Sequence, residues 1–137
     1  MQKVVQRRLE RQGWDVDPAV TIRAPREAFR CHVDLIARRS RRLLMIEIKP
    51  NWPPYSGIGQ LIYYYHALKR EGKSLPKDLV LVTWRRTEVW DAPLMDACND
   101  ADVRLWLFTG NYRAFTMKGV GRGWQYVPLD ELAPPRN

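Results

Sequence analysis

The sequence predicts an α/β fold in which helices flank one mixed β-sheet. Segments with apolar residues at helical spacing alternate along the chain with short, continuous apolar runs, so helices and strands alternate. Two early strands joined by a short polar turn predict an antiparallel pair, and a later strand-helix-strand segment predicts a parallel pair. At 137 residues, the chain is long enough to bury one substantial core and is expected to form one domain.

The N-terminal region predicts a helix followed by a strand. Residues 2–12 have the spacing of an amphipathic helix, which Gly13 ends. Its apolar and basic sides consist, respectively, of Val4, Val5 and Leu9 and of Arg7, Arg8 and Arg11. Residues 20–23 predict the first strand, and residues 24–27 predict the turn after it.

The next segment predicts a β-hairpin around which the rest of the chain is organised. Residues 32–37 and 43–49 are rich in Val, Ile and Leu, and the polar residues 38–42 separate the two runs. This pattern is typical of a hairpin, although no Asn-Gly or Asp-Gly pair specifies the turn type. If the turn is centred on Ser40 and Arg41, the numbers of paired residues sum to 81.

In that register, three ionisable side chains share one face of the hairpin. Asp34 lies opposite Glu47, and Lys49 follows Glu47 by two residues on the same face. Opposed carboxylates repel when their Cβ atoms are roughly 4.5–5.5 Å apart, and a divalent cation with oxygen ligands, such as Mg²⁺, would remove that repulsion. The alternative is that each side chain lies in solvent at a strand end. Because all three converge on otherwise apolar strands, we favour a functional site.

The remaining segments complete the sheet and its helices. Prolines end the third strand just after Lys49, and residues 56–70 have helical spacing. Residues 78–83 form a continuous apolar run, which is typical of a strand buried on both faces. A helix is expected from Asp91, as its N-cap, to Asp100. The last predicted elements are a strand at residues 103–108, parallel to the preceding strand, and a hairpin at residues 114–118 and 124–127.

Several short motifs resemble those of the PD-(D/E)XK nuclease superfamily. Asp34 and, after a gap of twelve residues, Glu47-Ile48-Lys49 are similar to its acidic residue and (D/E)-x-K motif. Gln60 and Tyr64 resemble the Gln-x-x-x-Tyr element of RecB-type members. Glu10 resembles an acidic residue that many members carry on the first helix. The one departure is a valine where the superfamily name has proline, and many members share it.

This resemblance implies a restriction-endonuclease-like αβββαβ core over residues 2–109. The rest of the chain is expected to form a C-terminal extension over residues 110–133 and a disordered tail at 134–137. The resemblance also implies a metal-dependent deoxyribonuclease. Asp34, Glu47 and the Ile48 backbone carbonyl would hold Mg²⁺ or Mn²⁺. Lys49, Gln60 and Glu10 would join the two carboxylates in catalysis, and Tyr64 would contact a phosphate of the nucleic acid.

The charge of the chain favours a nucleic-acid partner. The formal net charge is +8 and the pI is near 9.9, which favours a polyanion. Arginine supplies most of this charge and suits bidentate contacts to phosphate; codon bias is the alternative explanation. The candidate DNA-contacting residues outside the motifs are a loop tryptophan and the hairpin-turn arginines, namely Trp52, Arg38, Arg39, Arg41 and Arg42. Their alternatives are a tryptophan packed under its loop and a solvated basic turn.

Other features limit the function classes. The two cysteines, Cys31 and Cys98, are expected to be free and buried, and they are too few for a zinc or iron-sulfur site. No apolar run is long enough to span a membrane, and no signal peptide is evident, so a cytoplasmic location is expected.

The short chain favours a small stand-alone DNA endonuclease, of resolvase-like or mobile-element type, whereas the RecB-type resemblance around Gln60 favours exonuclease or flap-type activity. A homodimer would be needed for a concerted double-strand cut. Two alternatives remain open: a catalytically inactive DNA-binding module on the same fold, and a small α/β protein of another class whose tyrosine-rich helix is an interface.

Overall fold

The computed structural model describes residues 1–23 and 30–134. The predicted turn at residues 24–27 and all but the first residue of the predicted tail lie outside these ranges, and the side chain of Cys31 is not among those described. The described elements, in chain order, are α1 (Gln2–Arg11), β1 (Asp15–Arg23), β2 (Arg30–Arg39), β3 (Arg42–Ile48), α2 (Ser56–Arg70), β4 (Asp78–Trp84), α3 (Glu88–Asp100), β5 (Val103–Phe108), β6 (Ala114–Val120), β7 (Gly123–Pro128) and a 3₁₀ helix (Asp130–Leu132).

The seven described strands form one mixed sheet in which their spatial order follows their order in the chain. Strands β1, β2 and β3 are antiparallel, β3, β4 and β5 are parallel, and β5, β6 and β7 are antiparallel again. The predicted α/β fold is therefore confirmed, as is the parallel pairing of β4 and β5. The first six elements have the order αβββαβ, and β6 and β7 extend the same sheet.

The central hairpin has the predicted register. Arg39 pairs with Arg42, and the pairing continues to Leu35 and Ile46, so paired numbers sum to 81. The connecting turn is shorter than the five polar residues suggested, because strand pairing leaves only Ser40 and Arg41 unpaired. Ser40 adopts a φ of 56°, the left-handed conformation that a two-residue hairpin turn needs.

Each face of the sheet carries its own apolar cluster, because side chains alternate along the strands. Helices α2 and α3 cover one face, where Leu61 and Leu94 pack with Met45 and Leu81. Helix α1 and the 3₁₀ helix cover the other face, where Leu44, Ile46 and Ile48 of β3 lie. Glu47 and Lys49 therefore project to the face covered by α2.

Two predicted helix features are wrong. Arg8 was expected on the solvent side of α1 but is only 7% exposed. Its guanidinium donates hydrogen bonds to the carbonyls of Tyr112 and Leu132. Helix α3 begins three residues before Asp91, with Thr87 as N-cap, and the Asp91 carboxylate accepts a hydrogen bond from the Arg86 backbone N–H.

The first strand is longer than the sequence suggested, because it begins at Asp15 and includes Pro18. Proline is tolerated there because β1 is an edge strand of the described sheet. Ala19 has a φ of 52°. Its neighbours in β1 pair with β2, Pro18 with Leu35 and Val20 with Val33, so Ala19 itself lies opposite Asp34.

Candidate active site

The candidate active site lies where β2 and β3 separate. Their ladder ends at the pair Leu35 and Ile46, and the next residues are Asp34 on β2 and Glu47 on β3. Beyond this pair, side-chain carboxylates accept the backbone hydrogen bonds between the two strands. Asp34 Oδ2 accepts a hydrogen bond from the Ile48 backbone N–H at 2.7 Å, and Glu47 Oε1 accepts one from the Asp34 backbone N–H at 3.2 Å. These reciprocal bonds fix both carboxylates at the mouth of the gap.

Glu47 is the most perturbed acid at this site. It is 3% exposed, and burial raises its pKa to about 7, with a further increase from the neighbouring Asp34 carboxylate. The hydrogen bond from Asp34 and the Lys49 ammonium lower the pKa by less. The Lys49 Nζ lies 3.9 Å from Glu47 Oε2. A buried acid beside a second carboxylate is a common property of functional sites.

Lys49 is held by β4 and by the start of α2. Its backbone N–H donates to the Val82 carbonyl at 2.8 Å, and its carbonyl accepts from the Thr83 hydroxyl at 2.6 Å. Its aliphatic chain lies against Gly57, where an added Cβ would be 3.1 Å from Lys49 Cγ. The absence of a side chain at Gly57 lets the lysine stem lie between α2 and the sheet.

Helix α2 brings one further polar atom to this region. Gln60 follows Gly57 by three residues, so the two share a helix face. The Gln60 Oε1 atom is buried and has no hydrogen-bond partner in the described part of the chain. A buried acceptor of this kind ordinarily has a partner. Tyr64, one turn further, is 8% exposed and packs in the core cluster beneath the sheet.

The structure does not bring Glu10 to the carboxylates. Gln2, at the start of α1, donates a side-chain hydrogen bond to the Asp34 carbonyl at 3.2 Å. Glu10 is exposed and lies eight residues beyond Gln2, which is roughly 12 Å further along the helix axis. It is close to Gln12, whose carbonyl contacts Arg39 at the hairpin tip.

Three of the four hairpin-tip arginines make contacts within the molecule. Arg38 forms an exposed ion pair with Asp17 at 3.1 Å. The Arg39 guanidinium lies 4.5 Å from the centre of the Trp14 ring, and Arg42 pairs with Asp78 at 3.0 Å. Arg41, in the turn itself, is exposed.

The loop after β3 places Trp52 beside the site with 45% of its surface exposed. The alternative to a DNA contact, a tryptophan packed under its loop, therefore holds only in part, and the DNA contact of Trp52 stays a prediction.

The donor set of the site suits a hard divalent cation. Within residues 1–23 and 30–134, no group of three or more His, Cys, Asp and Glu side chains could hold a metal, so Asp34 and Glu47 would share an ion with donors of another kind, such as a backbone carbonyl. Ile48 is suitably placed. Its N–H points towards Asp34, and the carbonyl of the same strand residue points to the same side. Two carboxylates, a carbonyl and water are ordinary ligands of Mg²⁺.

Three supporting residues were missed by the sequence analysis: Gln2, Gly57 and Thr83. Thr83 had a usable signal, because a polar residue that ends a buried parallel strand lies at the edge where α/β proteins bind ligands. The contacts of Gln2 and Gly57 depend on how α1 and α2 dock, and no motif encodes them.

Comparisons with known proteins support the fold and leave the chemistry open. No protein-family model and no curated protein matches the sequence. An XisH family protein from Nostoc punctiforme is similar in structure, with a TM-score of 0.59 and 20% identity over 80% of this chain and 91% of that one. A protein of unknown function, AF1548, has a TM-score of 0.53 and 19% identity over 81% of this chain and 57% of that one.

SfsA from Pyrococcus furiosus, solved with Ca²⁺, aligns with a TM-score of 0.39 and 15% identity over 93% of this chain and 59% of that one. That value is too low to support an argument. The XisH family protein places this chain in the restriction-endonuclease-like fold. No helix in the described ranges is both long and apolar enough to cross a membrane.

Proposed function

We propose that the protein is a metal-dependent nuclease that hydrolyses phosphodiester bonds in DNA. The observation that carries the proposal is the pair of carboxylates at the parting of β2 and β3. Asp34 and Glu47 each accept a backbone hydrogen bond from the other strand, and Lys49 lies beside them. Burying an acid next to a second acid costs stability, so the pair indicates a function rather than a structural role.

Asp34, Glu47 and the Ile48 carbonyl would hold Mg²⁺ or Mn²⁺. When bound, such an ion polarises the scissile phosphate and lowers the pKa of a bound water. The buried position of Glu47 keeps bulk water away from one side of the site, which strengthens electrostatic interactions there.

Lys49 and Gln60 supply the remaining polar groups. The Lys49 ammonium would donate hydrogen bonds to a phosphate oxygen and offset the charge that develops during the reaction. Thr83 and Val82 fix its backbone and the stem lies against Gly57, which would help to orient the ammonium before the substrate binds. The unpartnered Gln60 Oε1 would accept a hydrogen bond from the attacking water.

DNA is the proposed substrate because of the charge of the chain. A net charge of +8 attracts a polyanion and raises its local concentration at the surface. Neither a base sequence nor a choice between internal and terminal cutting follows from charge, so the assay must test several DNA topologies.

The test is cleavage of labelled linear, circular, single-stranded and branched DNA with Mg²⁺ or Mn²⁺, with EDTA as the metal-free control. We expect Lys49→Ala to reduce the cleavage rate by about 100-fold or more. Lys118→Ala, which changes an exposed lysine on β6, should leave the rate unchanged. Cleavage by Lys49→Ala at the wild-type rate would contradict the assignment. Binding of DNA without cleavage of any substrate would instead indicate an inactive DNA-binding module.

A further inference from the structure

Two exposed tryptophans form a corner beside the candidate active site. Trp52 lies in the loop between β3 and α2, and Trp90 lies in the first turn of α3; they are 45% and 55% exposed. Their ring centres are 5.2 Å apart and their planes meet at 72°. We call this pair the indole corner. Large aromatic side chains that remain in water next to one another often mark a binding site.

The indole corner is held by a charged residue. The Arg86 guanidinium lies 4.7 Å from the centre of the Trp52 ring and donates hydrogen bonds to the Thr83 hydroxyl at 3.2 Å and the Trp84 carbonyl at 3.0 Å. Trp52 therefore rests on a cation that is itself anchored to the end of β4. The Trp52 indole is therefore exposed in a fixed position, and it has the positive charge of Arg86 beside it.

The same contacts connect the indole corner to the catalytic lysine. Thr83, which accepts from Arg86, donates its hydroxyl hydrogen to the Lys49 carbonyl. Trp52 follows Lys49 by three residues, so their Cα atoms are at most about 11 Å apart. A base that contacts the indole corner would belong to a nucleotide within a few positions of the phosphate at Lys49.

We infer that the indole corner binds an unpaired base of DNA next to the scissile phosphate, which makes DNA with a single-stranded segment at the cut the substrate class; this inference rests on the proposed function. Aromatic side chains in single-strand binding sites stack on bases. In an intact duplex, both faces of each base are already stacked on neighbouring pairs, so an indole can reach them only where the strand is unpaired. The angle between the rings suits one base, stacked on one indole and bordered by the other, and Arg86 adds attraction for the adjacent phosphates.

The first test is binding in EDTA, which requires no turnover. Fluorescence anisotropy would compare a labelled single strand with the matching duplex for the wild type and for the Trp52→Leu, Trp90→Leu double variant. We expect the wild type to prefer the single strand and the double variant to bind it about tenfold more weakly or worse, with duplex binding unchanged. Trp52→Phe should retain most of the affinity. Tyr63→Leu, which removes an exposed aromatic on α2, should have no effect.

Unchanged single-strand binding by the double variant, or no preference for the single strand in the wild type, would overturn the inference and favour a protein partner for the indole corner. Cleavage assays separate this result from a failure of the proposed function. Binding that depends on the indoles without any cleavage would refute the nuclease and retain the indole corner. Suppose instead that cleavage depends on Lys49 but is equally fast on blunt duplex and branched DNA, in the wild type and in the double variant. That result would retain the nuclease and refute the role of the indole corner.

Discussion

Glu47 sets the electrostatics of the site because it is an acid that the fold buries. Burial and the Asp34 carboxylate raise its pKa to about 7, whereas a glutamate in an unfolded chain has a pKa of about 4.3. The folded state therefore holds the proton to a higher pH than the unfolded state does. Folding is favoured while both states are protonated, and it loses stability as the pH rises from about 4.3 to about 7.

The first prediction follows from this sign. Without metal, Glu47→Gln should be more stable than the wild type at pH 8, by an amount approaching roughly 3 kcal/mol. Most of this advantage should vanish near pH 4, where the wild-type acid is protonated. Urea unfolding at both pH values in EDTA measures the difference. Glu10→Gln makes the same chemical change at an exposed position and is the matched control. A stability gap between Glu47→Gln and wild type that is equal at both pH values would contradict the burial argument.

A second prediction concerns two glycines on α2. A Cβ at Gly57 would lie 2.5 Å from Leu81 Cδ1 and 3.1 Å from Lys49 Cγ, whereas a Cβ at Gly59 meets nothing within 4 Å. Gly57→Ala should therefore cost roughly 1–3 kcal/mol of stability through overpacking. Because the Lys49 stem must move, it should also slow cleavage by about tenfold or more.

Gly59→Ala is the control for the Gly57 substitution, because it makes the same change two residues along the same helix. It should stabilise the protein by roughly 0.5–1 kcal/mol through helix propensity alone and leave cleavage unchanged. Equal effects of the two alanines in unfolding and cleavage assays would mean that Gly57 does not position Lys49.

At the scale of elements, Arg8 fastens α1 to the C-terminal part of the chain. Its guanidinium satisfies the carbonyls of Tyr112 and Leu132 and lies 5.6 Å from the centre of the Phe108 ring. Arg8→Ala would leave buried carbonyls without a donor, so we expect a loss of roughly 3 kcal/mol. Arg7→Ala changes an exposed neighbour and should cost less than about 0.5 kcal/mol. Chemical denaturation measures the free energy of unfolding of both variants. Similar denaturation midpoints for the two would show that Arg8 does not anchor the helix.

The sequence predicted the elements that have strong periodicity. The bounds of α2 and the register of the β2–β3 hairpin agree with the structure, because helical spacing and strand alternation are local properties. The start of α3 was placed too late, because Asp91 looks like an N-cap. In the fold, its carboxylate instead accepts hydrogen bonds from the Arg86 N–H and from Tyr126 on β7, a partner distant in the sequence.

The candidate site was predictable as a set of residue types and less so as a geometry. Alternation placed Asp34, Glu47 and Lys49 on one face. It could not show that the ladder ends at the pair before Asp34 and Glu47, since that depends on side chains replacing backbone partners. Arg8 was assigned to the solvent side of α1 because a charged residue in a sequence pattern is expected to be exposed. Its burial depends on carbonyls of distant segments, which the pattern does not show.

At the scale of the whole molecule, the basic charge is partly used within the fold. Asp17 and Asp78 pair with Arg38 and Arg42, and Arg39 lies against an indole ring. The exposed pair of Arg38 and Asp17 contributes little to stability, but these contacts place the three guanidinium groups beside acids or a ring. The net charge of +8 therefore overstates what the hairpin tip offers to DNA.

Arg41 is the tip residue that we expect to contact DNA. It is exposed, and none of the contacts described for residues 1–23 and 30–134 involves its side chain. Glu47 follows Arg41 by six residues, a distance of roughly 20 Å along the strand, which corresponds to about six base pairs at 3.4 Å per pair. Arg41→Ala should therefore weaken binding only when duplex extends at least that far from the cut, and it should reduce the slope of log affinity against log salt by about 0.9.

Salt titrations of metal-free protein on DNAs with short and long duplex arms test this expectation. Arg41→Lys retains the charge and should retain the wild-type slope, which separates a phosphate contact from a change in turn structure. If Arg41→Ala weakens binding equally on both arms, the tip acts through the fold or through a general field. If Arg41→Ala weakens binding to neither DNA, the turn is a solvated surface and the duplex lies along another side of the sheet. A loss confined to the long arm would fix the direction in which the duplex leaves the carboxylates, along the hairpin towards its tip.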